Sequence, residues 1–275
     1  MDSILLSIID NSVMLESLLQ LDRKPVGIKF LFDKEDFDNF KAKTMNGIIP
    51  YCTLVRNASK GEDCKASLEN FACLGAATAL GLLKPNNSTI SGKRRFQNGS
   101  YKNLCVSRSI SRDMIYCQHE IYGVAAMPLE KFLVEPDVVI LITDPYNAMR
   151  IMQGNAYHNG VSKEIKLSGM QAICQECTSL PFETNNINIS MMCSGTRLLA
   201  QWKRNELGIG IPFNKFATIV DGIKETVNPL ERNDGKKIIE ENLKKNNLKD
   251  ALKIEYDKNY DDGGYIGLKG LENYK

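Results

Sequence analysis

Apolar residues recur at helical spacing near the start of the chain, at Ile4, Leu5, Ile8, Ile9, Val13, Leu15, Leu18 and Leu19, and predict an amphipathic helix over residues 4–21. The pattern then changes period. Val26–Phe32, introduced by Pro25, predicts a strand, and a helix follows over residues 52–57 that ends near Gly61. Ser67 precedes Leu68-Glu69-Asn70 and the apolar run 71–83, which predicts a capped helix carrying Cys73 in its first turns, with Pro85 just past its end. Residues 91–112 are polar, basic and glycine-containing, a pattern expected of an extended hairpin or loop. Tyr122–Met127 predicts a short strand, and the unbroken aliphatic run Val138–Thr143 a strand buried on both faces.

The second half repeats the rhythm. Asp144-Pro145 opens a helix that closes near Gly160, residues 169–179 read as a helix with Cys174 and Cys177, and strands follow at 188–192 and 208–212 before a helix over 216–227. Short segments echo one another: Pro25–Asp33 with Pro136–Asp144, and Gly123–Phe132 with Gly208–Phe216. These echoes predict an α/β or α+β domain over residues 1–227, internally duplicated, with one half at about 22–132 and the other at about 133–227 packed about a pseudo-twofold axis. From residue 228 to 275 charged side chains dominate. A helix over 236–252 and a loosely held end are expected of this extension.

Composition narrows the function classes. The apolar fraction of 43%, the charged fraction of 25% and a net charge of +2 are ordinary for a globular protein and give no general field for nucleic acid. No apolar run approaches membrane-spanning length, and the N-terminus has an acidic second residue and no basic region, unlike a signal peptide, so a cytoplasmic protein is expected. In a reducing compartment the eight cysteines argue for metal or redox chemistry over disulfides.

With two histidines in the chain, any multi-ligand soft-metal site must be built from thiolates, which means tetrahedral zinc or an iron–sulfur cluster. Zinc modules usually show two close cysteine pairs, whereas here Cys174 and Cys177 are the one such pair, three residues apart on one face of the expected helix. Dispersed single cysteines favour a cluster held between elements. Between the echoes, Cys73 and Cys105 in the first half correspond to Cys174 and Cys193 in the second. Each cysteine taken singly is better explained by chance or core packing than by ligation. The segment Cys193-Ser194-Gly195-Thr196-Arg197 could place backbone N–H groups and a guanidinium around an anion or a cluster.

Other motifs are weak. Lys93 to Arg112 carries six cations and no acid, which suits a solvated basic face, an acidic partner or phosphates. His119-Glu120 lacks the second histidine of a zinc-protease helix, Gly208-Ile-Gly210 lacks a third glycine, and no serine nucleophile elbow is present. Met149, Met152, Met170, Met191 and Met192 suit helical packing, with thioether ligation or a haem pocket as the alternative.

Several of these segments resemble one family. They are Pro25-Val-Gly-Ile-Lys-Phe, Cys52 before the Gly61 stop, Cys73-Leu-Gly, Glu135-Pro-Asp-Val-Val-Ile, Asp144-Pro-Tyr-Asn-Ala-Met-Arg150, Ala172-Ile-Cys174, Cys193-Ser-Gly-Thr-Arg197 and Ile211-Pro212. In order and spacing they are similar to domain of unknown function 169, common in anaerobic archaea and bacteria, over about residues 20–225. Asn147 departs from the glutamine expected in the Pro-x-Gln-Ala-Met pattern. The resemblance carries no activity. It implies that Cys52, Cys73, Cys174 and Cys193 stand in motif positions, while Cys64, Cys105, Cys117 and Cys177 are particular to this chain.

The sequence thus leads to a cytosolic protein of an anaerobe in which Cys52, Cys73, Cys174 and Cys193 hold a [4Fe–4S]-type cluster, with Ser194, Gly195 and Arg197 as cofactor- or anion-binding neighbours. A redox partner protein, an anionic small molecule and a homo-oligomer fit as partners; a membrane does not, and nucleic acid is disfavoured. The competing expectations are a small-molecule binding module with packed cysteines, and a structural zinc protein.

Overall fold

A computed structural model describes residues 3–226 together with Asn228, Lys237 and Glu241. The amphipathic N-terminal segment forms α1 (Ser3–Leu19), which buries Ile8, Ser12, Leu15 and Leu19, a stripe one side chain wide, while Val13 and Leu18 stay exposed. β1 (Val26–Leu31), α2 (Lys34–Asn39), β2 (Lys43–Thr44), α3 (Tyr51–Ala58) and β3 (Cys64–Ser67) follow. α4 (Leu74–Leu80) stops at Gly81, which takes the left-handed conformation that a glycine adopts without penalty. Three short helices come next: α5 (Asn87–Ile90), α6 (Lys93–Gln97) and α7 (Leu104–Asp113). β4 (Gly123–Pro128), β5 (Val138–Thr143) and α8 (Pro145–Asn159) lead to a π-helix over Ala172–Ser179, then to α9 (Leu180–Thr184), β6 (Asn188–Ser190), α10 (Ser194–Leu199), β7 (Leu207–Pro212) and α11 (Phe213–Glu225).

The seven strands make one mixed sheet in the order β2-β3-β4-β1-β5-β7-β6. Every pairing is antiparallel except β2 with β3. β1 and β5 are its centre, registered Val26 to Ile140 and Ile28 to Val138. Strand alternation sorts the core into two layers. Val138, Ile140 and Ile142 join Val26, Ile28, Phe30, α3, α4 and the π-helix on one face. Val139 and Leu141 join Leu207, Ile209 and Ile211 against α1, α8 and α11 on the other. The mixed α/β class expected from the sequence is what the chain adopts, and β5 is buried at all six positions.

Three expectations are corrected. Residues 91–112 are helical, because Asn86 and Asn103 cap α5 and α7 by accepting from the N–H of Thr89 and Val106, and because Arg95 turns inward to Ser111 at 2.9 Å. Ser67 caps a single 3-10 turn over Leu68–Asn70, and α4 begins only after Cys73, which is its N-cap. The segment carrying Cys174 is a π-helix, so Cys174 and Cys177 do not share a face. Internal duplication is not shown: the strand order outward from β1 and β5 is alike, yet α3 and α8, the helices that the echoes pair, lie on opposite faces of the sheet. The expected helix over 236–252 and the loose end lie outside the described residues, Lys237 and Glu241 apart.

Candidate functional site: a cavity of four thiols

Four segments meet on the α3–α4 side of the sheet. The bridge between Ile49 and Phe71, with Ile49 N–H donating to Asn70 and Ala72 N–H to Ile49, clamps the approach to α3 against the approach to α4. Cys52, in the first turn of α3, and Cys73, at the N-cap of α4, thereby become neighbours. On the other side Arg56 donates to the carbonyl of Ala200 at 3.1 Å and ties α3 to the end of α10, whose N-cap is Cys193.

The fourth wall is the π-helix. Its eight residues are all buried, including Gln175, Glu176, Thr178 and Ser179, and its wide turn is stabilised from outside itself. Glu176 accepts from the N–H and hydroxyl of Ser168 (2.7 and 3.1 Å) and from the hydroxyl of Ser190 at 2.5 Å, and the carboxamide of Asn188 donates to the Glu176 carbonyl at 2.9 Å. Tyr51 and Thr178 share a hydrogen bond of 3.0 Å. Beneath it, β7 supplies glycines where any side chain would collide: a Cβ at Gly210 would lie 2.2 Å from the carbonyl oxygen of Cys177. The Gly208-Ile-Gly210 pattern, uninformative as a nucleotide motif, is a packing device.

Cys52, Cys73, Cys174 and Cys193 all line one cavity of 210 Å³, together with Ala76, Met170, Gln171, Ser194, Gly195 and Thr196. The other four cysteines are elsewhere. Cys177 faces Gly208, Cys117 packs beside Gly81, Cys64 lies on β3 and Cys105 is exposed on α7. The structure therefore groups the thiols in motif positions and leaves Cys105, favoured by the echoes alone, outside. Arg197, expected to face an anion, does not line the cavity. Its guanidinium donates to the carbonyls of Met191 (3.2 Å), Glu206 (2.7 Å) and Lys203. His119 lies edge-on to Phe32 and Phe182, and His158 pairs with Asp221 at 3.0 Å.

The cavity is electrostatically one-sided. No Lys, Arg or His lines it. Burial pushes the thiol of Cys52 up to about 11 and that of Cys174 well above the ordinary range, and the neighbouring thiols oppose ionisation further. One donor serves them: the Thr196 side chain hydrogen-bonds Cys52 and lies 3.1 Å from Cys193 Sγ, while its backbone N–H donates to the same sulfur at 3.4 Å. Thr196 is the site residue that sequence reasoning passed over, although it sits inside the Cys193–Arg197 motif. Among the described residues, no group of three or more His, Cys, Asp or Glu side chains could hold a single metal ion. No helix among them is long and apolar enough to cross a membrane.

Fold and site together define an α/β protein with a four-thiol cavity beside its sheet, its inner wall buried at Cys174 and its lip exposed at Cys73. The profile of domain of unknown function 169, described as uncharacterised ArCR, matches residues 14–222, and the chain belongs to that family. It is 25% identical over 217 residues to the uncharacterized protein MJ0308 of Methanocaldococcus jannaschii, spanning 78% of this chain and 93% of that one. No solved structure matches.

Proposed function

We propose that the four-thiol cavity holds an iron–sulfur cluster of the [4Fe–4S] type and that the protein is a redox protein. The observation that carries this reading is the convergence of Cys52, Cys73, Cys174 and Cys193, from four separate segments, on one cavity. Size agrees: an apolar cavity of about 150 Å³ accommodates benzene, with its six heavy atoms. A volume of 210 Å³ suits a body of about eight heavy atoms, the size of a cubane core. A single zinc ion would need its thiolates about 3.8 Å apart, at Zn–S distances of about 2.3 Å in a tetrahedron, and no such close group is found among the described residues.

A bound cluster supplies one-electron chemistry over a wide range of potentials. The chain contributes the rest. Burial holds the thiols of Cys52 and Cys174 protonated, so for these two ligation is what allows deprotonation. Thr196 stabilises charge on Cys52 and Cys193, and burial of Cys174 keeps water from the inner wall.

Anaerobic purification with iron and sulfide analysis, absorption near 400 nm and EPR tests this. About four irons and four sulfides per chain are expected, lost in the quadruple Cys→Ala variant. A colourless, iron-free protein from iron-replete anaerobic cells would overturn it; about one zinc per chain would replace it by a structural zinc site, and a metal-free protein that retains a small molecule by a binding module.

A further inference from the structure

From Asn70 to Arg112 the chain carries seven cations and not one acid, although the whole protein has a net charge of only +2. This stretch begins at one lip of the thiol cavity and ends on α7. Cys73, the one exposed thiol of the four, lies in it, followed by Leu74 at 53% exposure. Arg95 of α6 is buried and donates to the Gln171 carboxamide, which in turn donates to the Gly75 carbonyl at 2.6 Å. A single hydrogen-bonded link therefore joins the basic helices to the cavity wall.

Lys93, Arg94, Lys102, Arg108 and Arg112 are exposed, and no ion pair is recorded for any of them among the described residues. Large apolar side chains lie exposed on the same elements and on the opposite lip: Phe96 (40%) and Val106 (40%) on α6 and α7, Leu198 (76%) and Leu199 (51%) on α10. Unpaired charge with exposed apolar groups is the make-up of a transient protein interface, in which charge steers the encounter and apolar contact holds it. A nucleic-acid surface would be more polar and would raise the net charge of the whole domain.

We infer that this face, around Cys73 and over α6 and α7, is the docking surface for a small acidic electron-carrier protein. The inference rests on the reading of the cavity as a cluster site. One electron leaves the reduced centre of the carrier, which is thereby oxidised, and reduces the cluster by one unit; no bond or proton moves.

The test is anaerobic titration calorimetry of the intact protein with a small acidic ferredoxin. Affinity is expected to fall at least tenfold between ~0.02 M and ~0.3 M ionic strength as the charges are screened. The triple variant Arg94→Glu, Arg108→Glu, Arg112→Glu is expected to lose at least tenfold at low salt, with unchanged iron content and unchanged reduction by dithionite. Equal affinity of variant and parent overturns the docking surface. So does tighter binding of a single-stranded oligonucleotide than of ferredoxin at the same salt. If the protein proves iron-free, the cluster reading fails by itself, while the same titration on the metal-free protein still decides the docking surface.

Discussion

Gly210 on β7 passes so close under the π-helix that a single methyl group there would lie 2.2 Å from the carbonyl oxygen of Cys177. Two strand positions along, Gly208 faces the Cys177 sulfur, where the same methyl would lie 2.9 Å away. Backbone cannot yield as a side chain can, so Gly210→Ala should displace the π-helix and with it Cys174. We expect a loss of about 1–3 kcal/mol in chemical denaturation and reduced iron content. Gly208→Ala should cost less. A Gly210→Ala protein as stable and as iron-rich as the parent would show that the π-helix is not held by this contact.

Gly195 lines the cavity without crowding: a Cβ there would meet only Cys193 Sγ, at 3.9 Å. Gly195→Val should therefore fold, keep all four thiols and fill the space between them. Its melting temperature is expected to change little and its iron content to fall severalfold, which separates occupancy of the cavity from the mere presence of cysteines.

Thr196→Val removes the hydroxyl shared between Cys52 and Cys193 at nearly constant volume. Donors to cluster sulfurs favour the reduced, more negative state, so their loss should lower the reduction potential by an amount on the order of tens of millivolts. Redox titration followed by EPR reads the shift, and Thr196→Ser should restore most of it.

Alkaline pH should destabilise the metal-free protein. Burial raises the thiol of Cys117 to about 12 and that of Cys52 to about 11, from an ordinary value of 9.0, and Cys174 and Cys177 move the same way. Native thiols stay protonated where unfolded ones ionise. The native state then binds more protons above about pH 9, and stability falls as pH rises from there toward 11. Below pH 9 these groups contribute no slope. Urea midpoints at pH 8 and pH 10.5 measure the effect, and Cys117→Ala should reduce the drop.

How much of this was legible in the chain depends on what fills each interior. The run Val138–Thr143 announced itself because a strand between two packed faces needs apolar residues throughout, and α8 was marked by Asp144, Pro145 and Gly160 at its ends. α7 escaped because its buried positions are Ser107 and Ser111, small hydroxyls that pack against the Gly92 turn and Arg95 and give no apolar period. The helix over residues 169–179 was expected, but its π form and complete burial were not. Gln175, Glu176, Thr178 and Ser179 look like a polar surface until Ser168, Asn188, Ser190 and Tyr51 are seen to satisfy them or their neighbours. At the site, the four cysteines could be named from motif position, but their meeting depends on the bridge between Ile49 and Phe71 and on Arg56 reaching Ala200, contacts between distant segments that no local pattern encodes.

The order in which the walls of the cavity appear along the chain also sets a timetable for its assembly. A nascent chain that has emerged as far as β5 can already pair β1 with β4, yet of the four cavity thiols it owns only Cys52 and Cys73 and has no π-helix to face them. The remaining walls depend on Asn188, Ser190 and the glycines of β7, which are synthesised last. Whatever occupies the finished cavity therefore arrives after β7 has been synthesised, at a shell whose contacts span long sequence separations and close slowly. Its accessible door is the lip formed by Cys73.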